Sequence, residues 1–197
     1  AMYDFGTKTT LTIDLQNMKN KNGQKLFLSS ACPSVVEFIK QYMSSYAPYI
    51  TDCASPLLAH ARYLKKIYGD DTGVIFIGPC IAKKGEADSF SEVDAAITFE
   101  NLRKWLSKEG ITPYNCSPKE DDRFIPQKAA QGALYPVGGG MIASVNNYGN
   151  PIRSMSVSGI GLIKEALEGL DVSGLKEPLF MELLACKGGC INGPVTK

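Results

Sequence analysis

The chain reads as an α/β protein: a mixed or parallel sheet flanked by helices, with cysteines at the carboxyl ends of its strands. Two observations predict this. Short apolar runs alternate with segments of helical periodicity, the strand–turn–helix order of layered α/β folds. Three of those runs lead directly into turns that carry Cys32, Cys80 and Cys186.

Taken in order, Lys25 to Ser29 is a short strand that ends at Ser30-Ala31-Cys32-Pro33. Pro33 suits a first helical turn, and Val35, Val36, Phe38, Ile39, Tyr42 and Met43 fall on one face of the helix it opens. Ser55-Pro56 starts a second helix, with Ser55 as N-cap and Leu57, Leu58, Ala61, Leu64 and Ile67 at helical spacing. Val74 to Ile77 is continuously apolar, the pattern of a strand buried on both faces, and runs into Gly78-Pro79-Cys80. Ala95 to Thr98 reads as a strand and Phe99 to Lys108 as a helix closed by Gly110. Ile111 to Gln131 is turn-rich, with Pro113, Pro118 and Pro126, and is expected to be a surface excursion. Gly138-Gly139-Gly140 precedes a short apolar helix. Ile160 to Leu170 is helical, and Leu179 to Ala185 is a strand that enters Cys186.

Composition narrows the class. The 197 residues are 44% hydrophobic and 21% charged, as in ordinary globular proteins, with a formal net charge of +1. Lys and Arg are spread along the chain, so neither a nucleic-acid nor an anionic-membrane partner is indicated. No apolar run approaches the ~20 residues of a membrane span. No secretory leader is visible, and six cysteines in a chain of this size suggest a reducing, cytoplasmic setting rather than a disulfide scaffold. Residues 1–24 are polar and stay unassigned. Ala1 ahead of Met2 reads as a remnant of cloning.

Ligands bind at the carboxyl edge of open α/β sheets. If the strands are parallel neighbours, Cys32, Cys80 and Cys186 converge there, and Cys190 adds a fourth thiol across the flexible Lys187-Gly188-Gly189. Four thiolates suit a [4Fe–4S] cluster, with zinc as the other soft-metal option. One close pair and two distant singletons favour the cluster. Cys53 and Cys116 fit no ligand motif and read as structural thiols. The single histidine, His60, lies among apolar neighbours and reads as a surface or half-buried residue rather than a ligand. Tyr42, Tyr46 and Tyr49 read as packing residues.

Ser29-Ser30-Ala31-Cys32-Pro33, Gly78-Pro79-Cys80-Ile81-Ala82-Lys83-Lys84-Gly85-Glu86 and Glu182-Leu183-Leu184-Ala185-Cys186-Lys187-Gly188-Gly189-Cys190 resemble three motifs of the [FeFe]-hydrogenase family, T-S-C-C-P, M-P-C-x-x-K-K-x-E and E-x-M-A-C-x-G-G-C, in the same order. The resemblance implies that residues 1–197 are part of the C-terminal, H-cluster-binding domain of such an oxidoreductase. That cofactor joins a [4Fe–4S] cubane to a diiron subsite, and the family's reaction is reversible H₂ oxidation and proton reduction. Carried over, Cys32, Cys80 and Cys186 are cubane ligands and Cys190 bridges to the diiron subsite. Lys83 contacts a diiron cyanide, and Glu86 and Ser55 lie near the cluster or its proton path. The implied partners are an upstream ferredoxin-like domain, the rest of the H-cluster domain and a ferredoxin-type electron carrier. A fragment alone is expected to be inactive and to hold the cofactor poorly or not at all, and an interface left open suits a homodimer.

Three positions depart from the family pattern. Ala31 stands where the prototypical enzymes have a proton-shuttling cysteine, Gly78 where they have the Met of the second motif, and Leu184 where they have that of the third. The resemblance therefore points to a divergent branch with low activity or a hydrogen-sensing role. The alternative is a non-catalytic hydrogenase-like iron–sulfur protein of cluster assembly or electron transfer. A structural zinc protein is the third reading.

Overall fold

The computed structural model describes residues 23–117, 124–126, 129–146 and 153–196, so most of the unassigned N-terminal segment, and Pro118 of the polar excursion, lie outside the described residues. Two parallel sheets organise what is described; the larger joins strands distant in sequence and the smaller pairs two consecutive strands. In the larger sheet, β1 (Leu26–Leu28) and β4 (Ser154–Ser158) flank β5 (Leu179–Leu184), in the order β1-β5-β4. Leu26 pairs with Leu179 and Leu28 with Met181, while Ser154 pairs with Phe180 and Ser158 with Leu184. The smaller sheet pairs β2 (Ile75–Gly78) with β3 (Ala95–Thr98), from Ile75 opposite Ala95 to Gly78 opposite Thr98.

Side chains alternate across a strand, so the larger sheet needs a cover on each face. On one face Leu26, Leu28, Met181 and Leu183 pack with Val35 and Ile39 of α1 (Pro33–Tyr42). Ile163 and Leu167 of α6 (Ile160–Glu168) complete that core. On the other face Phe27 and Phe180 meet Tyr135 and Met141, the latter from α5 (Gly140–Asn146). A separate core joins Leu57, Leu58 and Ala61 of α2 (Pro56–Tyr68) to Val74, Val93 and Ala87 of α3 (Ala82–Ser89).

The local signals explain the helix starts. Pro33 and Pro56 occupy first helical turns, where a missing N–H costs nothing. The Ser55 hydroxyl accepts from the Leu58 N–H at 3.3 Å, as expected of an N-cap. Thr98 caps α4 (Phe99–Lys108) in a reciprocal box with Asn101. Gly110 has φ 69°, the left-handed backbone expected after that helix.

Two expectations need correction. β2 is not buried on both faces: Ile75 is 50% exposed and Ile77 38% exposed. In a two-stranded sheet only one face is packed, so a continuous apolar run does not certify two-sided burial. The three cysteine-bearing strands are also not neighbours in one sheet. β1 and β5 are adjacent, but β2 belongs to the smaller sheet.

Two substitutions separate these environments. Leu183→Ala, at a fully buried site, is expected to cost about 2–5 kcal/mol in urea unfolding. Ile75→Ser should change stability by no more than ~0.5 kcal/mol. A multi-kcal/mol loss for Ile75→Ser would mean that β2 has a covered second face.

Candidate functional site

Three of the four cysteines follow the end of a strand, and the fourth follows the turn after β5. Cys32 is the N-cap residue of α1 and is buried. Cys80 follows β2 across Pro79, and Cys186 follows β5 across Ala185; both are partly buried. Cys190 opens a short 3₁₀ turn, Cys190–Asn192. The turn between the last two folds back through Gly188 and Gly189, with φ 78° and 107°, conformations that glycine alone adopts without strain.

Burial first, and then Cys32, Cys80 and Cys186, push the Cys190 thiol up to about 11, while Lys83 opposes them. Cys186 is likewise raised by burial, then by Cys32 and Cys80. One crevice therefore collects thiols from both sheets. Backbone contacts hold the sheets in that relation. The Val195 N–H donates to the Pro79 carbonyl at 3.4 Å, and Gly193 sits so close that a Cβ there would lie 2.8 Å from the same oxygen.

Among the described residues no three Cys, His, Asp or Glu side chains are gathered closely enough to hold a single metal ion. A zinc ion needs sulfurs ~2.3 Å from one centre. The all-thiol donor set suits iron–sulfur chemistry.

Lys83 is almost wholly buried at this crevice. Its ammonium donates to the Ala31 carbonyl at 3.4 Å and forms a short ion pair with Glu86, one turn along α3. Glu86 and Ser55 reach a neighbouring cavity of about 830 Å³, also lined by Ser30, Cys53 and Arg62. The structure thus brings Lys83 to the thiols and places Glu86 between Lys83 and the cavity. Ser55 lies on the cavity wall, with its hydroxyl engaged as the helix cap.

His60 is half-buried, as expected. Cys116 is exposed, beside Asn115. Tyr42 is 75% exposed but packs its ring against Phe38, with centroids 5.6 Å apart, and Tyr46 donates its hydroxyl to the Leu167 carbonyl.

One residue was missed. Glu182 is fully buried in the middle of β5, where its carboxylate accepts from the N–H groups of Gly139 at 3.0 Å and Ile142 at 3.1 Å. Burial pushes its pKa above the usual carboxylate value, and the N–H groups of Ile142, Gly139 and Met141 pull it back down. The signal was in the sequence: a lone acid inside an apolar strand must find donors.

Fold and site together define an α/β protein built around a crevice of four thiols and one buried ammonium. Residues 2–194 match the model of the iron-only hydrogenase large subunit, C-terminal domain, and the chain belongs to that family. It is 26% identical to iron hydrogenase 1 of Clostridium pasteurianum, across 96% of this chain and 42% of that protein. It is 24% identical to the periplasmic [Fe] hydrogenase large subunit of Nitratidesulfovibrio vulgaris, across 84% of this chain and 50% of the relative. A shorter match, 30% identical over 44% of this chain and 19% of the relative, is to a cytosolic Fe–S cluster assembly factor NAR1 homologue of Schizosaccharomyces japonicus. A solved [FeFe]-hydrogenase HydA1 variant from Chlamydomonas reinhardtii shares the fold, with TM-score 0.67 and 18% identity, across 96% of this chain and 66% of that one. The chain spans half or less of the length of these curated relatives.

The thiol electrostatics can be tested on metal-free protein. A raised pKa leaves less thiolate at any pH below it, and the thiolate is the nucleophile. At pH 8.5, Cys190 is expected to alkylate about 100-fold more slowly than exposed Cys116, read by mass spectrometry of labelled peptides. Equal rates would show that Cys190 is not in a thiol-crowded, buried crevice.

Proposed function

We propose that this chain is the cluster-binding part of an [FeFe]-hydrogenase-type protein, with Cys32, Cys80, Cys186 and Cys190 as ligands. The observation that carries this is that Cys32 and Cys80, which follow strands of two different sheets, lie near enough to act on Cys186 and Cys190, with Lys83 as the neighbouring cation. When bound, an H-cluster would supply the [4Fe–4S] electron reservoir and the diiron subsite for 2H⁺ + 2e⁻ ⇌ H₂.

The chain's own residues have three tasks. The four cysteines bind, and their placement on strand ends keeps them fixed while the surrounding turns adapt. Lys83 keeps a positive charge at the crevice, because its ion pair with Glu86 and its bond to the Ala31 carbonyl hold the ammonium in a buried position. Glu86 links Lys83 to the cavity that Ser55 also lines. Ala31 has no side chain that can carry a proton to the reacting group. A proton-relay step of that kind is worth roughly 10²–10⁴-fold in rate, so slow turnover with a hydrogen-sensing role fits this chain better than bulk catalysis. Residues 1–197 would then be one part of the domain. The remainder of the parent, a ferredoxin-type carrier or a second copy would complete the interface, and the six free thiols favour a reducing, cytoplasmic setting. No helix among the described residues is long and apolar enough to cross a membrane.

The match to a cluster assembly factor favours a second reading, a cluster-binding protein without hydrogen chemistry. Two measurements on the matured parent protein separate the readings. Infrared bands of bound CO and cyanide, with hydrogen turnover raised about 100-fold or more by Ala31→Cys, support the first. A cluster with no such bands and no turnover in either form supports the second. In both readings Cys80→Ser should abolish the iron and sulfide taken up on anaerobic reconstitution. Undiminished uptake would remove Cys80 from the ligand set.

A further inference from the structure

The wholly buried carboxylate of Glu182 is not explained by the ligand assignment. It lies in the central strand of the larger sheet and points at backbone, not at a cation. Its two oxygens accept from Gly139 and Ile142, so each is committed to a separate N–H at the entry to α5. These donors belong to the segment from Pro136 into the first turn of α5, and the other side of that segment touches the thiol turn. The Gly138 N–H donates to the Gly188 carbonyl at 3.1 Å, and the Ile191 N–H donates to the Pro136 carbonyl at 3.1 Å. Gly188 lies between Cys186 and Cys190, and Ile191 follows Cys190. There is no slack in this contact: a Cβ on Gly189 would stand 2.4 Å from the Pro136 oxygen and 2.6 Å from the Gly138 nitrogen.

We propose that Glu182 is a positioning residue for the Cys186–Cys190 turn, acting through the Pro136–Gly140 segment that it anchors. Glu182 and Cys186 leave the same strand, so the carboxylate measures the segment against the strand that carries one thiol. The segment then fixes the backbone on both sides of the other thiol. A glutamine has the same shape but only one acceptor; its amide NH₂ would face an N–H donor. The two-acceptor demand explains why an acid occupies a fully buried strand position.

The inference rests on the proposed ligand role only for its consequence, and the test keeps the two apart. In the metal-free 197-residue chain, Glu182→Gln is expected to speed amide exchange at Gly138 and Ile191 by about 10-fold or more. Those N–H groups do not touch Glu182, so a purely local cap would leave them unchanged. Val145→Ala, which loosens the packing around α5 without touching these bonds, should leave both rates near those of the parent chain once matched for global stability. If Glu182→Gln does not fold, Glu182→Asp, which keeps the charge but withdraws the acceptors, is expected to give the same acceleration in smaller measure. After reconstitution with iron and sulfide, the Gln variant should lose iron to a chelator about 10- to 100-fold faster, the usual consequence of disturbing a ligand's supporting contacts. Unchanged exchange at Gly138 and Ile191 in a folded Gln or Asp variant would overturn the proposal. Failure of the parent chain itself to take up iron would count against the ligand assignment, and the exchange rates would still decide the role of Glu182.

Discussion

Burial first, and then the neighbouring thiols, opposes the ionisation of Cys186 and Cys190, and the fold holds these cysteines together regardless. That crowding is the constraint on which the rest depends. A group of four neutral thiols has no attraction that would draw it together, so the backbone must supply the convergence. It does so by ending strands at cysteines and by tying the two sheets through their turns. Val195 and Gly193 seat the C-terminal segment on the Pro79 carbonyl, next to Cys80. Lys83, reaching from α3 to the Ala31 carbonyl, ties the smaller sheet's helix to the turn before Cys32. The convergence is therefore held by contacts that need no metal.

A soft cationic group would relieve this arrangement, because it stabilises thiolates that the protein alone does not. The buried ammonium of Lys83 works in the same direction, and its pairing with Glu86 keeps a second carboxylate from being an uncompensated buried charge. Lys83 thus sets a positive charge against the field of the thiols at Cys190. Ala31, at the bond to Lys83, is where the chemistry departs from the prototypical family pattern.

Much of this was legible in the sequence. Pro33, Pro56 and Ser55 mark helix starts through local sterics and capping, which do not depend on the rest of the fold. The cysteine turns were legible because glycine and proline punctuate them. What could not be read is tertiary. Ser154 to Ser158 alternates three serines with Met155 and Val157, a segment of weak strand preference that becomes a strand because β5 offers a ladder. The division into two sheets depends on which strands pair, and the apolar run of Val74 to Ile77 fits one-sided and two-sided burial equally well. Glu182 was visible as an acid among apolar residues, but its donors come from Gly139 and Ile142, about forty positions earlier in the chain.

The most direct test of the central claim is X-ray absorption at the iron edge on the anaerobically reconstituted chain. Sulfur-only coordination with an iron–iron scattering shell is the expected result, since thiols converging from both sheets would hold one polynuclear cluster. Iron bound without an iron–iron shell, or bound through oxygen and nitrogen, would contradict it.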